Sequence, residues 1–203
     1  MSGRGRGEVL AVAATGALHF AFEELFRAKG IFIGTAASVW LAYALFRSRR
    51  DRAVWRAWGF RRDGLSPAAI ACLVLLAAGA AAMAAIAAVR GSLRLHPHLL
   101  PLLAVYPVWG LTQHFLRQAM FARNVRDAGL GPAGTTALTA PLFGLVHWPD
   151  RMLMGATALL AVALTPIYLR WRNLWPLGVL HGWLGALAYF WLLERDPWAE
   201  LFG

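Results

Sequence analysis

Polar side chains that could carry out chemistry gather in the second half of the chain, inside stretches that are otherwise apolar. Five of them fall close together in the sequence: Thr112, Gln113, His114, Arg117 and Gln118. Two further histidines, His147 and His181, lie near the ends of separate apolar runs. Neutral imidazoles are common ligands of zinc and other transition metals. Two of them meeting in one cavity would begin such a site, which for hydrolysis also needs a third protein ligand and a base.

The spacing of these residues predicts which of them share a helix face. Gln113 and Arg117 are four residues apart, and His114 and Gln118 form a second such pair on a neighbouring stripe. Lipid cannot satisfy so much hydrogen-bonding capacity, so this helix must face protein or a water-filled cavity. Ionisable groups inside a membrane indicate a functional site by default. The alternative is that Gln113 and Arg117 only hold helices together and that the histidines are satisfied buried groups.

The elements that carry His147 and His181 predict where the two imidazoles lie. The apolar run 133–147 would form a helix about 22 Å long, which is short of the ~30 Å hydrocarbon core of a bilayer. The sequence Trp148-Pro149-Asp150 then ends this helix. We therefore expect His147 to lie within the membrane, beside an irregular turn that is buried in protein or lines a cavity. His181 follows Pro176 by about one turn of its own helix.

Composition and hydropathy predict the class of fold that must position these side chains. Of the 203 residues, 59% are hydrophobic and 15% are charged, compared with about 25% charged residues in a soluble domain. These values exclude a disordered chain and disfavour a soluble one. Seven apolar runs are visible: 9–22, 30–46, 66–89, 99–121, 133–147, 152–169 and 176–193. They predict an all-α polytopic membrane protein, a bundle of about seven transmembrane helices. Its single membrane domain would comprise N-terminal helices with an Arg-rich loop (1–98) and a helical core (99–203).

The net charge of +10 at first suggests a nucleic-acid partner. The positions of the basic residues favour another interpretation. If the N-terminus is cytoplasmic, 13 of the 20 basic residues fall in segments on the cytoplasmic side, most densely over 47–62. We therefore expect an integral protein of a bacterial-type plasma membrane, with a cytoplasmic N-terminus, the lipid bilayer as a partner and no nucleic acid.

Three segments of the second half resemble a known family. The runs Phe143-Gly144-Leu145-Val146-His147-Trp148-Pro149-Asp150 and Arg172-Asn173-Leu174-Trp175-Pro176, with the helix that carries His181, resemble the core of the CPBP family. This family comprises CAAX prenyl endopeptidases and bacteriocin-processing intramembrane metalloproteases. The resemblance covers residues 109–193. It implies a membrane-embedded metallo-endopeptidase, in which a metal-activated water cleaves a membrane-proximal peptide bond of a peptide or protein substrate.

The same resemblance assigns roles to individual residues. His147 matches the histidine of an F-x-x-x-H motif and His181 that of an H-x-x-x-N/D motif, so they are the implied ligands of a divalent metal, with zinc as the expected ion. Arg117 matches the arginine of an E-E-x-x-x-R motif. The sequence departs from the family at three positions, because Thr112 and Gln113 replace the two glutamates and Gly185 replaces the Asn or Asp.

These departures leave the catalytic groups open. Gln113 could orient water or substrate, and Arg117 could stabilise developing negative charge. The missing general base would be His114, one of Glu23 and Glu24, or the metal-bound hydroxide alone. For Glu23 and Glu24 the plainer expectation is an interfacial acidic turn paired with Arg27 and Lys29.

Two other functions fit the same residues. A catalytically silent relative would use the cavity to bind membrane segments or a partner protein, as a scaffold or chaperone. A small transporter would use histidine and arginine to line an ion path, although the two halves lack matching broken helices. His96 and His98, on either side of Pro97, are expected in a solvated loop.

Overall fold

The structure is a computed structural model that describes residues 1–24, 26 and 28–202. Residues 23, 24, 29, 201 and 202 are described for their backbone only. The roles considered for Glu23 and Glu24, and their pairing with Arg27 and Lys29, therefore fall outside the described residues.

The described part of the chain is helical and contains no strand, which confirms the all-α prediction. The elements are α1 (Gly3–Glu24), α2 (Lys29–Arg50), α3 (Ala53–Trp58), α4 (Leu65–Arg90), α5 (Leu99–His114), a π-helical segment (Phe115–Ala122), α6 (Arg123–Asp127), α7 (Pro132–Leu145), α8 (Arg151–Trp171), α9 (Trp175–Trp191) and α10 (Pro197–Phe202).

Each of the seven predicted apolar runs overlaps one of the long helices, but 133–147 and 176–193 extend two residues beyond α7 and α9, and 99–121 continues from α5 into the π-helical segment. Among the described residues, four segments are long and apolar enough to cross a membrane: Gly30–Arg50, Leu65–Arg90, Leu99–Asp127 and Arg151–Trp171. The chain is thus a helical membrane protein, and seven crossings stay a prediction. The fourth run departs from a uniform α-helix, because its backbone changes to π-helix at Phe115.

Glycines bring α5 and α9 into backbone contact at the centre of the bundle. A Cβ atom at Gly182 would lie 2.5 Å from the backbone nitrogen of Pro107, and one at Gly178 would lie 2.8 Å from Cα of Leu111. Small residues at a helix interface permit this close approach in membrane proteins. The contact fixes α9, which carries His181, against α5, which carries Gln113 and His114.

The loops gather at two ends of the bundle. At one end, which we call the basic end, Asn173 donates to the Arg61 carbonyl and Arg172 lies 3.8 Å from Asp127. This end holds the segments predicted to be cytoplasmic. At the opposite end, Ser92 donates to the carbonyl of Trp191. The compartment that each end faces stays a prediction.

The hairpin of α1 and α2 is held at the basic end by a buried carboxylate. Glu8, whose exposed fraction is 6%, accepts hydrogen bonds from Tyr43 Oη (2.5 Å), Asn124 Nδ2 (2.6 Å) and Arg123 Nη2 (3.2 Å). Trp40 Nε1 also donates to Thr15 Oγ1 (3.1 Å) between the two helices. Glu8 thus ties both helices of the hairpin to the segment that follows the π-helix.

Candidate functional site

A cavity of about 1850 Å³ lies between the N-terminal hairpin and the helices of the second half. Its wall is formed by α1, α2, α4, α5, α7, α8 and α9 and by the turns at the opposite end. Most of the side chains on this wall are apolar. The polar ones include Gln113, Arg117, His147, Thr157 and His181. Four of the five residues predicted as site residues therefore border one cavity, and the fifth, His114, is fully buried behind it.

The π-helical segment determines how Arg117 is used. Its wider turn shifts the side chains that follow Phe115 from the positions that an α-helix would give them. Arg117 Nη2 donates to His114 Nδ1 (3.1 Å), three residues earlier, and Nη1 donates to Thr165 Oγ1 on α8 (3.4 Å). The guanidinium also lies 4.5 Å from the centre of the Phe143 ring. The recorded partner of Arg117 is thus His114, whereas the sequence pattern paired it with Gln113.

The bond from Arg117 also determines the tautomer of His114. A guanidinium can only donate, so Nδ1 of His114 must accept and the ring proton lies on Nε2. His114 Nε2 is buried and has no hydrogen-bond partner among the described residues. In this arrangement His114 presents an unpaired N–H donor.

His147 is oriented by the end of α7 and by α8. Its Nδ1 lies 2.8 Å from the carbonyl oxygen of Phe143 and 3.2 Å from Thr157 Oγ1. A carbonyl oxygen only accepts, so Nδ1 carries the proton and the lone pair lies on Nε2. Metal-binding histidines commonly donate the ring N–H that does not bind the metal to a backbone carbonyl, as His147 does here.

Phe143 lies among the three histidines. Its ring centre is 5.2 Å from that of His147, 5.4 Å from that of His181 and 6.3 Å from that of His114. The rings of His114 and His181 are 5.2 Å apart and nearly perpendicular. Nδ1 of His181 is buried with no partner in the described part of the chain, and the same holds for Oε1 of Gln113. Buried polar atoms are rarely left unpaired, so this concentration of them indicates a ligand site.

The donor chemistry of the cavity fits a transition metal. His147 offers an oriented Nε2 lone pair, His181 an unpaired Nδ1, and Gln113 an amide oxygen. Three protein ligands and a water are the usual set of a catalytic zinc. Among the described residues, His114, His147 and His181 do not bring three ligand atoms within 4.8 Å of one another.

Carboxylates are scarce around the cavity. Among its described lining residues, Asp150 and Glu200 are the acidic ones. Oδ1 of Asp150 accepts from the backbone N–H groups of Met152 and Leu153 at the start of α8. Glu200 forms two bonds with Arg195 (2.9 and 3.0 Å), and the hydrogen bond to this carboxylate raises the pKa of Arg195. Both acidic groups are thus engaged in structural contacts.

The two remaining positions of the family motifs are also visible. Thr112 directs its hydroxyl to the carbonyl oxygen of Val108 in its own helix (2.9 Å). Gly185 has room for a side chain, since a Cβ atom there would meet only Tyr106, at 3.9 Å. The missing ligand at 185 therefore leaves space on the His181 side of the cavity.

A group that sequence reasoning missed lies at the opposite end. His96 and His98 contact Asp196, with His98 Nδ1 2.7 Å from Oδ2, and the three side chains form a cluster that could hold a metal ion. The His-x-His spacing was a signal for it, but Asp196 is 98 residues from His98. The two histidines lie in a partly exposed loop, as expected, and Asp196 is a contact partner that the sequence did not predict.

Sequence reasoning also missed threonines that support the site. Thr165 accepts from both Arg117 and Gln118, and its Oγ1 lies 3.3 Å from that of Thr139. Threonine is common in membrane helices, so its presence in the apolar runs gave no signal.

Comparison with known families finds one similarity, which covers the segment that holds these residues. The family described as "Type II CAAX prenyl endopeptidase Rce1-like" matches residues 95–187, just under half of the chain. Neither the curated proteins nor the solved structures give a match. The matched segment contains His114, His147 and His181 and the π-helical segment between the first two. Over this segment the chain is similar to the CAAX prenyl endopeptidases, in agreement with the motif resemblance seen in the sequence.

Proposed function

We propose that the chain is a membrane-embedded metallo-endopeptidase that cleaves a peptide bond close to the bilayer. The observation that carries this proposal is the position of two motif histidines around Phe143. Buried polar atoms without hydrogen-bond partners lie beside them at the wall of a large apolar cavity. An apolar cavity with a few convergent polar groups is the usual form of a ligand site. A lipid-modified or hydrophobic peptide suits such a wall.

The metal would be held by His147 and His181, with Gln113 as the third protein ligand. A divalent ion such as zinc, when bound, supplies a polarising charge and lowers the pKa of its water. The Phe143 carbonyl and Thr157 hold His147 through Nδ1, so that the lone pair lies on Nε2.

His114 acts as a hydrogen-bond donor in this proposal. Its Nε2–H has no described partner, and the centre of the His181 ring lies 5.2 Å from that of His114. A fixed N–H donor of this kind stabilises the negative charge that develops on the carbonyl oxygen of a peptide under attack. Arg117 is a positioning residue, because it holds the tautomer of His114 through Nδ1.

The test is cleavage of two internally quenched peptides by the full chain in detergent micelles. Both have the same sequence, with a cysteine as the fourth residue from the C-terminus. Only one of them is prenylated on this cysteine. We expect zinc-dependent cleavage of the prenylated peptide, which His147→Ala and His181→Ala abolish. His114→Phe keeps a ring in the same space and should lower kcat about 10²-fold with KM unchanged.

The control is Thr136→Ala, on the surface of α7, whose hydroxyl bonds only to its own helix. This variant should cleave as the unchanged chain does. If cleavage does not depend on zinc, or if His147→Ala leaves cleavage unaltered, the proposal is wrong.

A second candidate is a catalytically silent relative that binds membrane segments or lipid-modified peptides without cleaving them. It is favoured by one observation, that the acidic residues described at the cavity wall are both engaged with backbone N–H groups or arginine. For this candidate we expect the prenylated peptide to bind the chain with equal affinity before and after treatment with a chelator, and to remain intact.

A further inference from the structure

A cluster outside the cavity has the composition of a metal site. His96 and His98 precede α5, and Asp196 precedes α10, at the opposite end of the bundle. Asp196 Oδ2 lies 2.7 Å from His98 Nδ1 and 3.7 Å from His96 Nε2. The three ligand atoms all lie within 4.8 Å of one another. The side chains are partly buried, with exposed fractions of 36%, 39% and 23%, so an ion could reach them from solvent.

The carboxylate of Asp196 is already oriented for this role. Its Oδ1 accepts from the backbone N–H groups of Trp198 (3.0 Å) and Ala199 (3.3 Å) at the start of α10. These bonds leave Oδ2 directed at the two imidazoles. Partial desolvation acts to raise the pKa of Asp196, but the hydrogen bonds from His98 and from this backbone outweigh it, and the pKa lies below its ordinary value.

The imidazoles are held by their neighbours as well. The ring of His96 stacks on Phe190 of α9, with ring centres 4.8 Å apart and planes 16° apart. The His96 and His98 rings are 5.1 Å apart. Pro97 between them restricts the backbone. The packing therefore keeps both rings on the same side of the loop, next to Asp196.

The spacing of the ligand atoms is close to what zinc needs. Zinc–nitrogen and zinc–oxygen bonds of 2.0–2.2 Å in a tetrahedron place ligand atoms about 3.4 Å apart. The two distances from Asp196 Oδ2, at 2.7 and 3.7 Å, bracket this value. Binding through Nε2 of His96 puts its proton on Nδ1, so it replaces the long hydrogen bond from the His98 backbone N–H (3.2 Å).

The neighbouring arginines are engaged elsewhere. Arg94 pairs with Glu194 (3.6 Å), and Arg195 pairs with Glu200 (2.9 Å) and lies 3.9 Å from Asp150. Their positive charge is thus balanced by carboxylates other than Asp196, which lowers the repulsion that a bound cation would meet.

We propose that His96, His98 and Asp196 bind a zinc-class divalent cation, with water as its fourth ligand. The ion joins the segment before α5 to α10. Arg195, Pro197 and Glu200, next to Asp196, line the cavity. Binding therefore fixes one part of the cavity rim, and it does so independently of His147 and His181.

The test is metal binding by the full chain in detergent, in the background His147→Ala/His181→Ala, after removal of metal with a chelator. We expect one equivalent of Zn²⁺ by competition with a chromophoric chelator, and Co²⁺ should give the visible absorption of a tetrahedral site. Adding Asp196→Asn or His98→Gln should weaken Zn²⁺ binding by about 100-fold or more. Loss of a residue that only hydrogen-bonds a metal ligand already lowers affinity by about 10–100-fold, and these two residues would be ligands themselves. Zinc should also raise the midpoint of thermal unfolding only where the cluster is intact.

The matched control is Asp63→Asn, which neutralises an exposed carboxylate that pairs with Arg56 at the basic end, away from the cluster. It should leave the affinity within about twofold. If the double-histidine background is unstable, the same substitutions in the unchanged chain should each remove one equivalent of bound zinc. Unchanged binding in Asp196→Asn, or no binding above that of His96→Gln/His98→Gln, overturns the proposal.

Discussion

At the level of single residues, the site replaces acids with neutral donors and acceptors. In the family motif that Arg117 completes, the positions that hold glutamates are occupied here by Thr112 and Gln113. Arg117 compensates by donating to the neutral imidazole of His114 and to Thr165. A guanidinium without a carboxylate partner keeps its full charge in an apolar surrounding, where its field is strong. This field would favour negative charge on a bound ligand and disfavour a bound cation.

The first prediction follows from this balance. Gln113→Glu/Gly185→Asn adds a carboxylate at the cavity wall, which Arg117 also lines, and an amide one helical turn from His181, where the structure has room for a side chain. We expect Zn²⁺ to bind at least about tenfold more tightly, because residues that merely hydrogen-bond a metal ligand already change affinity by about 10–100-fold. Chelator competition in an Asp196→Asn background measures it without a contribution from the other cluster. Gln113→Glu/Gly185→Ala, which fills the same space without a ligand at 185, should gain less.

At the level of elements, the positions of the helices could be predicted from local sequence, whereas the contacts between helices could not. Apolar runs predict the long helices because burial in lipid depends on the run itself, and each predicted run overlaps one of these helices. The same local pattern paired Arg117 with Gln113, but the backbone becomes π-helix at Phe115 and Arg117 contacts His114. The change depends on packing against α1, α3, α7 and α8, which the sequence of one helix does not contain.

The candidate sites show the same limit. His147 and His181 could be found because each stands in a recognisable motif. The partnership of His98 and Asp196 could not, since it depends on how the ends of α4, α5 and α9 meet. Its only local trace was the spacing of His96 and His98.

The contact between α5 and α9 gives a prediction at the scale of elements. Gly182→Ala would place a Cβ atom 2.5 Å from backbone atoms of Tyr106 and Pro107, which cannot move aside as a flexible side chain can. We expect the free energy of unfolding to fall by about 3 kcal/mol, the upper part of the range for overpacking. Titration with a denaturing detergent in mixed micelles measures it.

Gly185→Ala is the matched control for that substitution. It adds the same atom to the same helix, three residues away, where the nearest contact is an ordinary 3.9 Å. The gain in helix propensity, up to about 1 kcal/mol, should leave stability equal or raised. Equal losses from both substitutions would mean that α5 and α9 are not in backbone contact.

At the level of the whole molecule, the N-terminal hairpin forms a wall of the cavity that is anchored mainly through polar contacts at the basic end. Most of α1 and α2 presents exposed or half-exposed side chains, as expected of helices that face lipid. Glu8 joins this wall to the core through Tyr43, Arg123 and Asn124. The width of the cavity therefore depends on a carboxylate far along α1 from the histidines.

Removing this anchor should loosen the hairpin before the core. Glu8→Ala leaves Arg123 and Asn124 without their buried acceptor, so we expect a loss of about 3 kcal/mol in the free energy of unfolding, as for other broken buried ion pairs. Tyr43→Phe removes one hydrogen bond and should cost about 1 kcal/mol. Amide hydrogen exchange should accelerate in α1 and α2 of Glu8→Ala and remain slow in α5 and α9, which hold each other by backbone contact. Equal acceleration in all four helices would show that the hairpin and the core open together, and the cavity would then have no separately movable wall.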